Sequence, residues 1–435
     1  MHPHLPSLLH SEHTSPSGYS TEMNVVSGRH SIAQRTRRIV LAVTGSIAAY
    51  KSADIASRLV QAGLHVDVIL STAAQEFIRP LTFSALTNRS VHVEPFAPWN
   101  GDFTGHVSLA ENADAILVAP ASANTIAHLA LGLADDLLGL IALSTRAPLV
   151  LAPAMEHGMF HHPITQEHLT TLMRRGVTIV GPNEGRLASG DVGTGRMSDP
   201  ETLVDAVFAA LGRDGRLANR HVVITAAGTH EPIDPVRYIG NRSSGTMGFA
   251  LARAAIEQGA SVHLIAGPTA LRPPYGVSLT SVETANEMHA AVRHAVNSAD
   301  ALVMAAAVSD FRPATAMDRK VKKVAGRAGM TLELVANADI IALTRRSSLV
   351  KIGFAAETED LIVNAAHKLE TKGLDMIIAN EARTTIGSDE SQAIILRPGA
   401  PPECFPRLTK RALATIICDR LATLLEQLPP ANTDP

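Results

Sequence analysis

The sequence has little cysteine and few aromatic residues. Cys404 and Cys418 are the only two cysteines in 435 residues, so neither a disulfide framework nor a Cys-X-X-Cys pair for zinc or redox chemistry can be built. We therefore expect a cytosolic protein. With 10 Phe, 4 Tyr and 1 Trp, the cores must consist of Ala, Val, Leu and Ile, which is typical of parallel sheets covered by helices.

An excess of charge of either sign and long apolar runs are also missing. Lys and Arg total 38 against 41 Asp and Glu, a net charge of −3, and the pI is about 6.7. Binding to nucleic acid normally needs a concentrated basic surface, so we expect no nucleic-acid partner. No run of about 18 apolar residues occurs, and the N-terminus lacks the charged-then-apolar order of a signal peptide, so we expect no membrane association.

The length predicts about two or three domains, at roughly 150 residues each. Residues 1–37 are rich in Ser, His and Thr without apolar periodicity. We interpret them as a disordered extension, or as coding sequence upstream of a start near Met23.

From Ile39 onward, short apolar runs alternate with longer Ala-rich segments. The predicted strands are 39–43, 66–70, 115–119, 149–151 and 177–180, and helices are predicted at 51–62 and 122–131. This βαβ alternation indicates a parallel sheet with helices on both faces.

The apolar rhythm stops in the polar segment Gly212 to Arg216 and then starts again. Beyond it we predict strands at 221–225, 262–265, 301–305, 350–354 and 375–379, and helices at 245–258, 285–296 and 361–372. The sequence thus predicts two tandem α/β domains of Rossmann-like or flavodoxin-like type with mainly parallel sheets, at 38–212 and 219–430.

Small polar residues follow three successive predicted strands of the first half. They are Gly45 and Ser46 after the first strand, Ser71 after the second, and Ser122 and Asn124 after the third. Ligands of open α/β sheets bind at the carboxyl ends of strands, and helix N-termini there attract anions. A Walker A loop or a Rossmann GxGxxG would need glycine where Ile47 or Tyr50 stands, so the pattern predicts a generic phosphate site.

Five motifs of this half resemble the flavin-dependent cysteine decarboxylase family. They are TGSIAAYKS (44–52), GHVSLA (105–110), APASANTIA (119–127), APAM (152–155) and GDVGTGRM (190–197). The resemblance implies FMN at the strand ends and His106 as the catalytic histidine. Its best-known member acts on phosphopantothenoylcysteine in coenzyme A synthesis.

Two residues depart from that family's pattern. Glu156 stands where the family has an Asn expected to contact the substrate carboxylate, and a second carboxylate there disfavours binding. Ser189 stands where the family has the cysteine that protonates the enethiolate, and an aliphatic hydroxyl is a far weaker acid than a thiol. This half either decarboxylates by an altered route or serves as an FMN-binding oligomerisation scaffold.

The second half carries the long polar connection DPVRYIGNRSSG (234–245), and connections of that length are usually functional. Further along, Lys320 and Lys322 alternate in a segment that would place both on one face if extended. Residues 219–425 resemble phosphopantothenate–cysteine ligase, which in bacteria is commonly fused behind the decarboxylase. Gly228, His230, Thr246 and Ala338 depart mildly from its motifs.

The ligase resemblance implies that CTP activates 4'-phosphopantothenate as an acyl-cytidylate, which cysteine then attacks. Asn241 is expected to hold the acyl-cytidylate, Arg237 to serve the neighbouring substrate site, and Lys320 to stabilise charge on the α-phosphate. The nucleotide is expected to contact Met304, Ala305, Ala306, Asp310, Asn337, Ala338, Asp339, Ile340, Phe354, Lys368 and Lys372. The triphosphate implies Mg²⁺, although no ligand cluster for it is visible, and the family's shared flavin sites imply a homo-oligomer.

An oxidoreductase with two NAD(P)-binding halves is a third interpretation. The missing glycine fingerprint counts against it.

Overall fold

The structure is a computed structural model that describes residues 35–94, 105–322, 329–344, 346, 348–357, 359–381 and 388–427, together with a two-residue strand β1 (Asn24–Val25). The expected disordered extension at 1–37 lies outside these residues, apart from β1 and residues 35–37. Within the described ranges, no helix is long and apolar enough to cross a membrane.

The first half contains a six-stranded, all-parallel sheet of order β4-β3-β2-β5-β6-β7. Its strands are β2 (Arg38–Val43), β3 (His65–Leu70), β4 (Val91–His92), β5 (Ala115–Ala121), β6 (Leu149–Pro153) and β7 (Thr178–Ile179). The helices are α1 (Lys51–Gln61), α2 (Pro80–Thr87), α3 (Gly105–Asn112), α4 (Ala123–Leu131), α5 (Leu137–Ser144), α6 (His157–His161), α7 (Pro163–Arg174) and α8 (Pro200–Gly212). Strands β8 (Asn183–Arg186) and β9 (Val192–Arg196) form a separate hairpin.

Alternate residues of β2 enter two different cores. Ile39 and Leu41 are buried in one, and Val40 and Ala42 in the other. Successive side chains of a strand point to opposite faces, so a strand covered on both sides is apolar throughout. This explains why the predicted strands were continuous apolar runs. The strand order reverses between β2 and β5, which is where open sheets of this class bind ligands.

The second half contains a nine-stranded sheet of order β1-β22-β21-β19-β18-β15-β10-β13-β14. Its remaining strands are β10 (His221–Ala226), β13 (Ser261–Ala266), β14 (Ser278–Ser281), β15 (Ala301–Met304), β18 (Val350–Glu357), β19 (Met376–Glu381), β21 (Ala393–Leu396) and β22 (Glu403–Cys404). Two hairpins and one further antiparallel pair lie outside it. The hairpins are β11 (His230–Pro232) with β12 (Tyr238–Gly240) and β16 (Phe311–Pro313) with β17 (Leu334–Ala336), and the further pair is β20 (Glu390–Ser391) with β23 (Leu408–Thr409). The helices are α9 (Thr246–Ile256), α10 (Ala285–Ala295), α11 (Ile340–Leu343), α12 (Leu361–Thr371) and α13 (Lys410–Gln427).

Strand β21 is antiparallel to both β19 and β22, a feature that the sequence pattern did not indicate. Parallel and antiparallel strands share the same alternation of side chains, so the apolar pattern cannot separate them. The connection from Glu381 to Ala393 is shorter than the dozen or so residues that a parallel crossover needs, and this short connection makes the edge antiparallel.

The two halves pack through α8 and α9. Arg253 of α9 forms a bidentate pair with Asp205 of α8, at 3.0 and 3.1 Å. A Cβ on Gly212 would lie 2.3 Å from the carbonyl oxygen of Glu257, so only glycine admits this approach. We propose the domain boundary at 212–219, in a connection that is packed against α9.

Candidate functional site

The ends of β2 and β5 are joined by side-chain hydrogen bonds. Thr44 Oγ1 donates to the carbonyl oxygen of Pro120 at 2.7 Å and accepts from the backbone N–H of Ser122 at 3.1 Å. Ser52 Oγ donates to the carbonyl oxygen of Ala119 at 2.6 Å. These bonds bring two of the three predicted strand-end loops together at the point where the strand order reverses.

The three strand-end serines cap the turns or helices that follow them. Ser46, Ser71 and Ser122 accept from the backbone N–H groups of Ala48, Ala74 and Thr125, at 3.3, 3.1 and 3.3 Å. A hydroxyl that accepts one hydrogen bond keeps its own proton as a donor. Capping therefore does not conflict with binding a phosphate oxygen.

Gly45 is closely packed at the carboxyl end of β2, where the backbone carries no side chain. A Cβ there would lie 2.6 Å from the Cβ of Ala73, so the loops after β2 and β3 can approach only through glycine. His106, near the start of α3, has a buried Nδ1 without a hydrogen-bond partner in the described part of the chain. Asn124 is exposed on the first turn of α4. Bare backbone, serine donors and an unpaired imidazole nitrogen fit a polar planar cofactor such as a flavin.

Glu156 is an exposed helix cap. Its Oε2 accepts from the backbone N–H groups of Gly158 and Met159, at 2.7 and 3.2 Å, at the start of α6. The hydrogen bond from Gly158 lowers the pKa of Glu156 below its usual value, so the carboxyl group is ionised at neutral pH. The structure therefore keeps a negative charge where the resemblance has a neutral amide.

Ser189 lies at the exposed tip between β8 and β9, and its Oγ accepts from the N–H of Asp191 at 3.4 Å. The base of this hairpin is packed against the loop that carries Glu156. Met155 donates its N–H to the carbonyl oxygen of Gly195 at 3.1 Å, and His157 Nδ1 accepts from the N–H of Thr194 at 3.1 Å. Both departing residues thus belong to one structural unit.

The second half contains a cavity of about 560 Å³ at the carboxyl ends of its strands. Its wall includes Asn241 and every residue expected to contact the nucleotide. These are Met304, Ala305, Ala306, Asp310, Asn337, Ala338, Asp339, Ile340, Phe354, Lys368 and Lys372. Residues far apart in sequence are brought together because β15 and β18 are neighbours. The cavity is the candidate nucleotide site.

Asn241 is held at the cavity by the loop after β15. Its Nδ2 donates to the carbonyl oxygens of Ala307 and Val308, at 3.3 and 3.1 Å. Both amide hydrogens are occupied by these bonds, so Oδ1 is the atom left to contact a ligand. Gly245 supports this arrangement with a φ of +85° at the start of α9, a conformation that favours glycine.

Asn337 is another residue of the cavity wall, and its hydrogen bonds hold neighbouring segments in place. Its Nδ2 donates to the carbonyl oxygen of Ser309 at 2.8 Å, its Oδ1 accepts from Arg312 at 2.9 Å, and its N–H donates to the carbonyl oxygen of Asp310. Asn337 therefore fixes the loop of Asp310 against the hairpin β16–β17.

The two predicted lysines of α12 and its end are already paired. Lys372 lies 2.9 Å from Asp339 and Lys368 contacts Glu357. Burial acts to raise the pKa of Asp339. The hydrogen bond and charge of Lys372, together with hydrogen bonds from the backbone N–H groups of Ala342 and Ile341, outweigh burial, and the pKa is lowered. Both lysines reach the cavity as halves of ion pairs.

Arg237 and Lys320 do not line this cavity. Lys320 is exposed, and Arg237 donates to the carbonyl oxygen of Val321 at 3.2 Å. Buried Asp234 joins the two segments because it accepts from the N–H groups of Val236, Arg237 and Val321. The structure brings Arg237 into contact with Val321, the residue after Lys320, and leaves both Arg237 and Lys320 outside the cavity wall.

One end of the cavity is lined by residues that no sequence motif indicates. Asn380, Ser391 and Lys410 line it, and each comes from a different element near the C-terminus. They belong to no motif, and only the chain fold brings them together. Among the residues that the structure describes, no cluster of three or more His, Cys, Asp or Glu side chains could hold a metal ion.

Two family models match the chain. The Flavoprotein family matches residues 27–212, and the DNA/pantothenate metabolism flavoprotein C-terminal domain matches residues 217–425. The first half is accordingly similar to flavoproteins, and the second half to the C-terminal part of pantothenate-metabolism proteins.

Curated relatives match over nearly their whole length. The coenzyme A biosynthesis bifunctional protein CoaBC of Vibrio vulnificus is 42% identical over 395 residues, which covers 89% of this chain and 98% of the relative. The protein of the same name from Bacillus subtilis is 39% identical over 399 residues, covering 90% and 98%. The solved C-terminal domain of a CoaBC protein is 34% identical, has a TM-score of 0.43 and covers 49% of this chain and 100% of its own. The identity and coverage of the two curated relatives show that the chain belongs to the family of coenzyme A biosynthesis bifunctional proteins.

Proposed function

We propose that the protein catalyses two consecutive steps of coenzyme A biosynthesis. The second half joins cysteine to 4'-phosphopantothenate with CTP, and the first half decarboxylates the resulting phosphopantothenoylcysteine with FMN to give 4'-phosphopantetheine. The observation that carries the proposal is the single cavity that unites Asn241 with the residues expected to contact the nucleotide.

In the ligase step, the substrate carboxylate attacks the α-phosphate of CTP, pyrophosphate leaves, and the amine of cysteine displaces cytidylate. The Oδ1 of Asn241, fixed by the two carbonyl bonds of its amide nitrogen, orients the acyl-cytidylate. Lys320 and Arg237 approach from the neighbouring segment tied by Asp234 and stabilise the negative charge that develops on the phosphate. Mg²⁺, when bound with the triphosphate, would neutralise part of its negative charge. The described part of the chain offers no cluster of three or more His, Cys, Asp or Glu side chains to hold it.

In the decarboxylase step, the serines at 46, 71 and 122 and the bare backbone at Gly45 hold the cofactor. FMN, when bound, supplies reversible two-electron oxidation of the thiol-bearing part of the substrate. His106, with its unpaired Nδ1, accepts or donates a proton at the substrate. Ser189 takes the position of the proton donor but is a weak acid there.

A second candidate is a ligase fused to a non-catalytic FMN-binding module. The state of Glu156 favours it, since this ionised carboxylate is committed to capping α6 and repels a substrate carboxylate. Purified protein with phosphopantothenoylcysteine separates the candidates. Release of CO₂ with formation of phosphopantetheine eliminates the non-catalytic module, and absence of both from flavin-loaded protein eliminates the decarboxylase.

We further propose that the protein is a cytoplasmic homo-oligomer. Leu131, Leu143 and Ile164 of the first half are 66%, 63% and 56% exposed, and such side chains are commonly covered by a second subunit. Both cysteines are unpaired, which agrees with a reducing compartment. Light scattering of the purified protein tests the oligomeric state, since a monomeric mass at micromolar concentration would contradict a homo-oligomer.

A further inference from the structure

Lys410 is a buried cation on the wall of the ligase cavity. It is the first residue of α13, it is 9% exposed, and it lines the cavity. Within the described ranges, no residue accepts a hydrogen bond from its Nζ. Burial of most of this side chain disfavours its charged form in the free protein, so Lys410 is suited to meet an anion that arrives with a ligand.

The other two lysines of this wall differ from Lys410. Lys368 is paired with Glu357 and Lys372 with Asp339, so an incoming anion must compete with a carboxylate for each of them. Burial lowers the pKa of Lys410, and the nearby Asp389 only partly offsets this effect. Lys410 is therefore the lysine of this wall that gains most from an anion in the cavity.

Neutral polar residues surround Lys410 on the same wall. Asn380 lies in β19 and pairs with Ala393 of β21, and Ser391, 3% exposed, belongs to β20. The backbone N–H of Lys410 donates to the carbonyl oxygen of Asp389 at 3.0 Å, which fixes the start of α13 beside them. The amide of Asn380 and the start of an 18-residue helix provide neutral donors next to the charge, and the polar Ser391, whose Oγ donates to the carbonyl oxygen of Gln392 at 3.5 Å, lines the same wall. This combination suits a phosphate group.

We propose that Lys410, with Asn380 and Ser391, forms an anion subsite that binds phosphate oxygens of a phosphorylated substrate of the ligase reaction. This inference rests on the proposed ligase function. Two substrates carry the required chemistry, since CTP has a triphosphate and 4'-phosphopantothenate has a terminal phosphate.

Replacement of Lys410 by Met and by Arg tests the subsite. Lys410→Met keeps the length of the side chain and removes the charge, and we expect the KM of one of the two substrates to rise about 10- to 100-fold. A rise for CTP assigns the triphosphate, and a rise for phosphopantothenate assigns the terminal phosphate. Lys410→Arg keeps the charge and should recover most of the affinity.

Thermal unfolding provides a readout that does not depend on turnover. We expect inorganic pyrophosphate or inorganic phosphate to raise the Tm of the wild-type protein and to raise that of Lys410→Met much less. Without ligand, Lys410→Met should unfold at the same temperature as the wild type or higher, because a largely buried charge that Asp389 offsets only in part is removed. A merely structural lysine would give the opposite result.

Arg407→Met is the matched control. Arg407 is an exposed cation on the same part of the chain, paired with Glu390 at 3.2 Å, and its loss should leave both KM values and the anion-induced Tm shift unchanged. The subsite is wrong if Lys410→Met also leaves both KM values and the anion-induced Tm shift unchanged. It is also wrong if Arg407→Met changes these quantities as much as Lys410→Met does. Wild-type protein that binds both anions through Lys410 but forms no amide would refute the ligase function and retain the subsite.

Discussion

The two halves share one architecture but place their departing residues very differently. In the ligase half, the substitutions at Gly228, His230, Thr246 and Ala338 leave Asn241 bonded on a cavity wall. In the flavin half, Glu156 and Ser189 are both exposed and both lie where the resemblance expects the chemistry. A substitution near a site is tolerated when the reacting group is held by other residues, whereas a substitution of the reacting group changes the reaction itself.

The largest expected effect is a gain in the flavin half. Replacing Glu156 with Asn and Ser189 with Cys removes a like charge and supplies a thiol, whose pKa of about 8.5 suits proton donation near neutral pH. We expect decarboxylation of phosphopantothenoylcysteine to rise about 10²- to 10⁴-fold, the usual range for a positioned general acid. The rate of CO₂ release measures it.

Ser189→Ala combined with Glu156→Asn is the control for this gain. If that variant is as fast as the Cys variant, the thiol is not required and our account of Ser189 is wrong. Continued inactivity of the Cys variant with flavin bound would contradict the assignment of both residues.

The second effect is a loss in the ligase half. Asn241→Asp cannot donate to the carbonyl oxygens of Ala307 and Val308, and its carboxylate is repelled by them, so the side chain turns away from its present position. We expect CTP-dependent amide formation to fall about 10²- to 10³-fold, as for the loss of one preorganised polar group. Asn364 is a half-buried residue of α12 that does not line the cavity, and its amide also donates to a backbone carbonyl. Asn364→Asp should leave the rate unchanged. Near-normal turnover of Asn241→Asp would remove Asn241 from the site.

The third effect separates two neighbouring lysines. Lys320 and Lys322 are both exposed, and the resemblance assigns a role to Lys320 alone. We expect Lys320→Gln to lower kcat for amide formation about 10- to 100-fold, because one charge-assisted hydrogen bond to a phosphate is lost, with Lys322→Gln unaffected. Equal losses in both variants would indicate a general electrostatic effect of the segment.

Much of the fold could be predicted from the sequence because strands buried on both faces are continuous apolar runs. The strand at 39–43 and its neighbours were found this way. The hairpins β8–β9 and β16–β17 were missed because short strands outside the main sheets have no such run. Strand β21 belongs to the main sheet, but its apolar run of four residues is too short for periodicity to assign it to a strand. Motifs indicated the cavity residues from Asn241 to Lys372, but Lys410 belongs to no motif. Its position depends on the packing of α13 against α9, which no local pattern encodes.

The smallest expected effect is a pH dependence of the free energy of unfolding. It compares Asp234 of the ligase half with Glu156 of the flavin half. Burial acts to raise the pKa of Asp234, but hydrogen bonds from Val236, Val321 and Arg237 outweigh it, and the pKa is lowered. A carboxyl group with a lowered folded-state pKa stabilises the fold at every pH above its unfolded value, about 4, and loses this contribution as the pH falls through the folded value. We therefore expect the free energies of unfolding of wild type and Asp234→Asn, measured in urea, to differ by a constant amount above about pH 5 and to converge below about pH 4. Glu156→Gln should show the same sign with a smaller gap, because Glu156 is exposed to solvent. If the difference in unfolding free energy between wild type and Asp234→Asn does not change with pH, the charge of Asp234 contributes nothing to holding Arg237 beside the segment that carries Lys320.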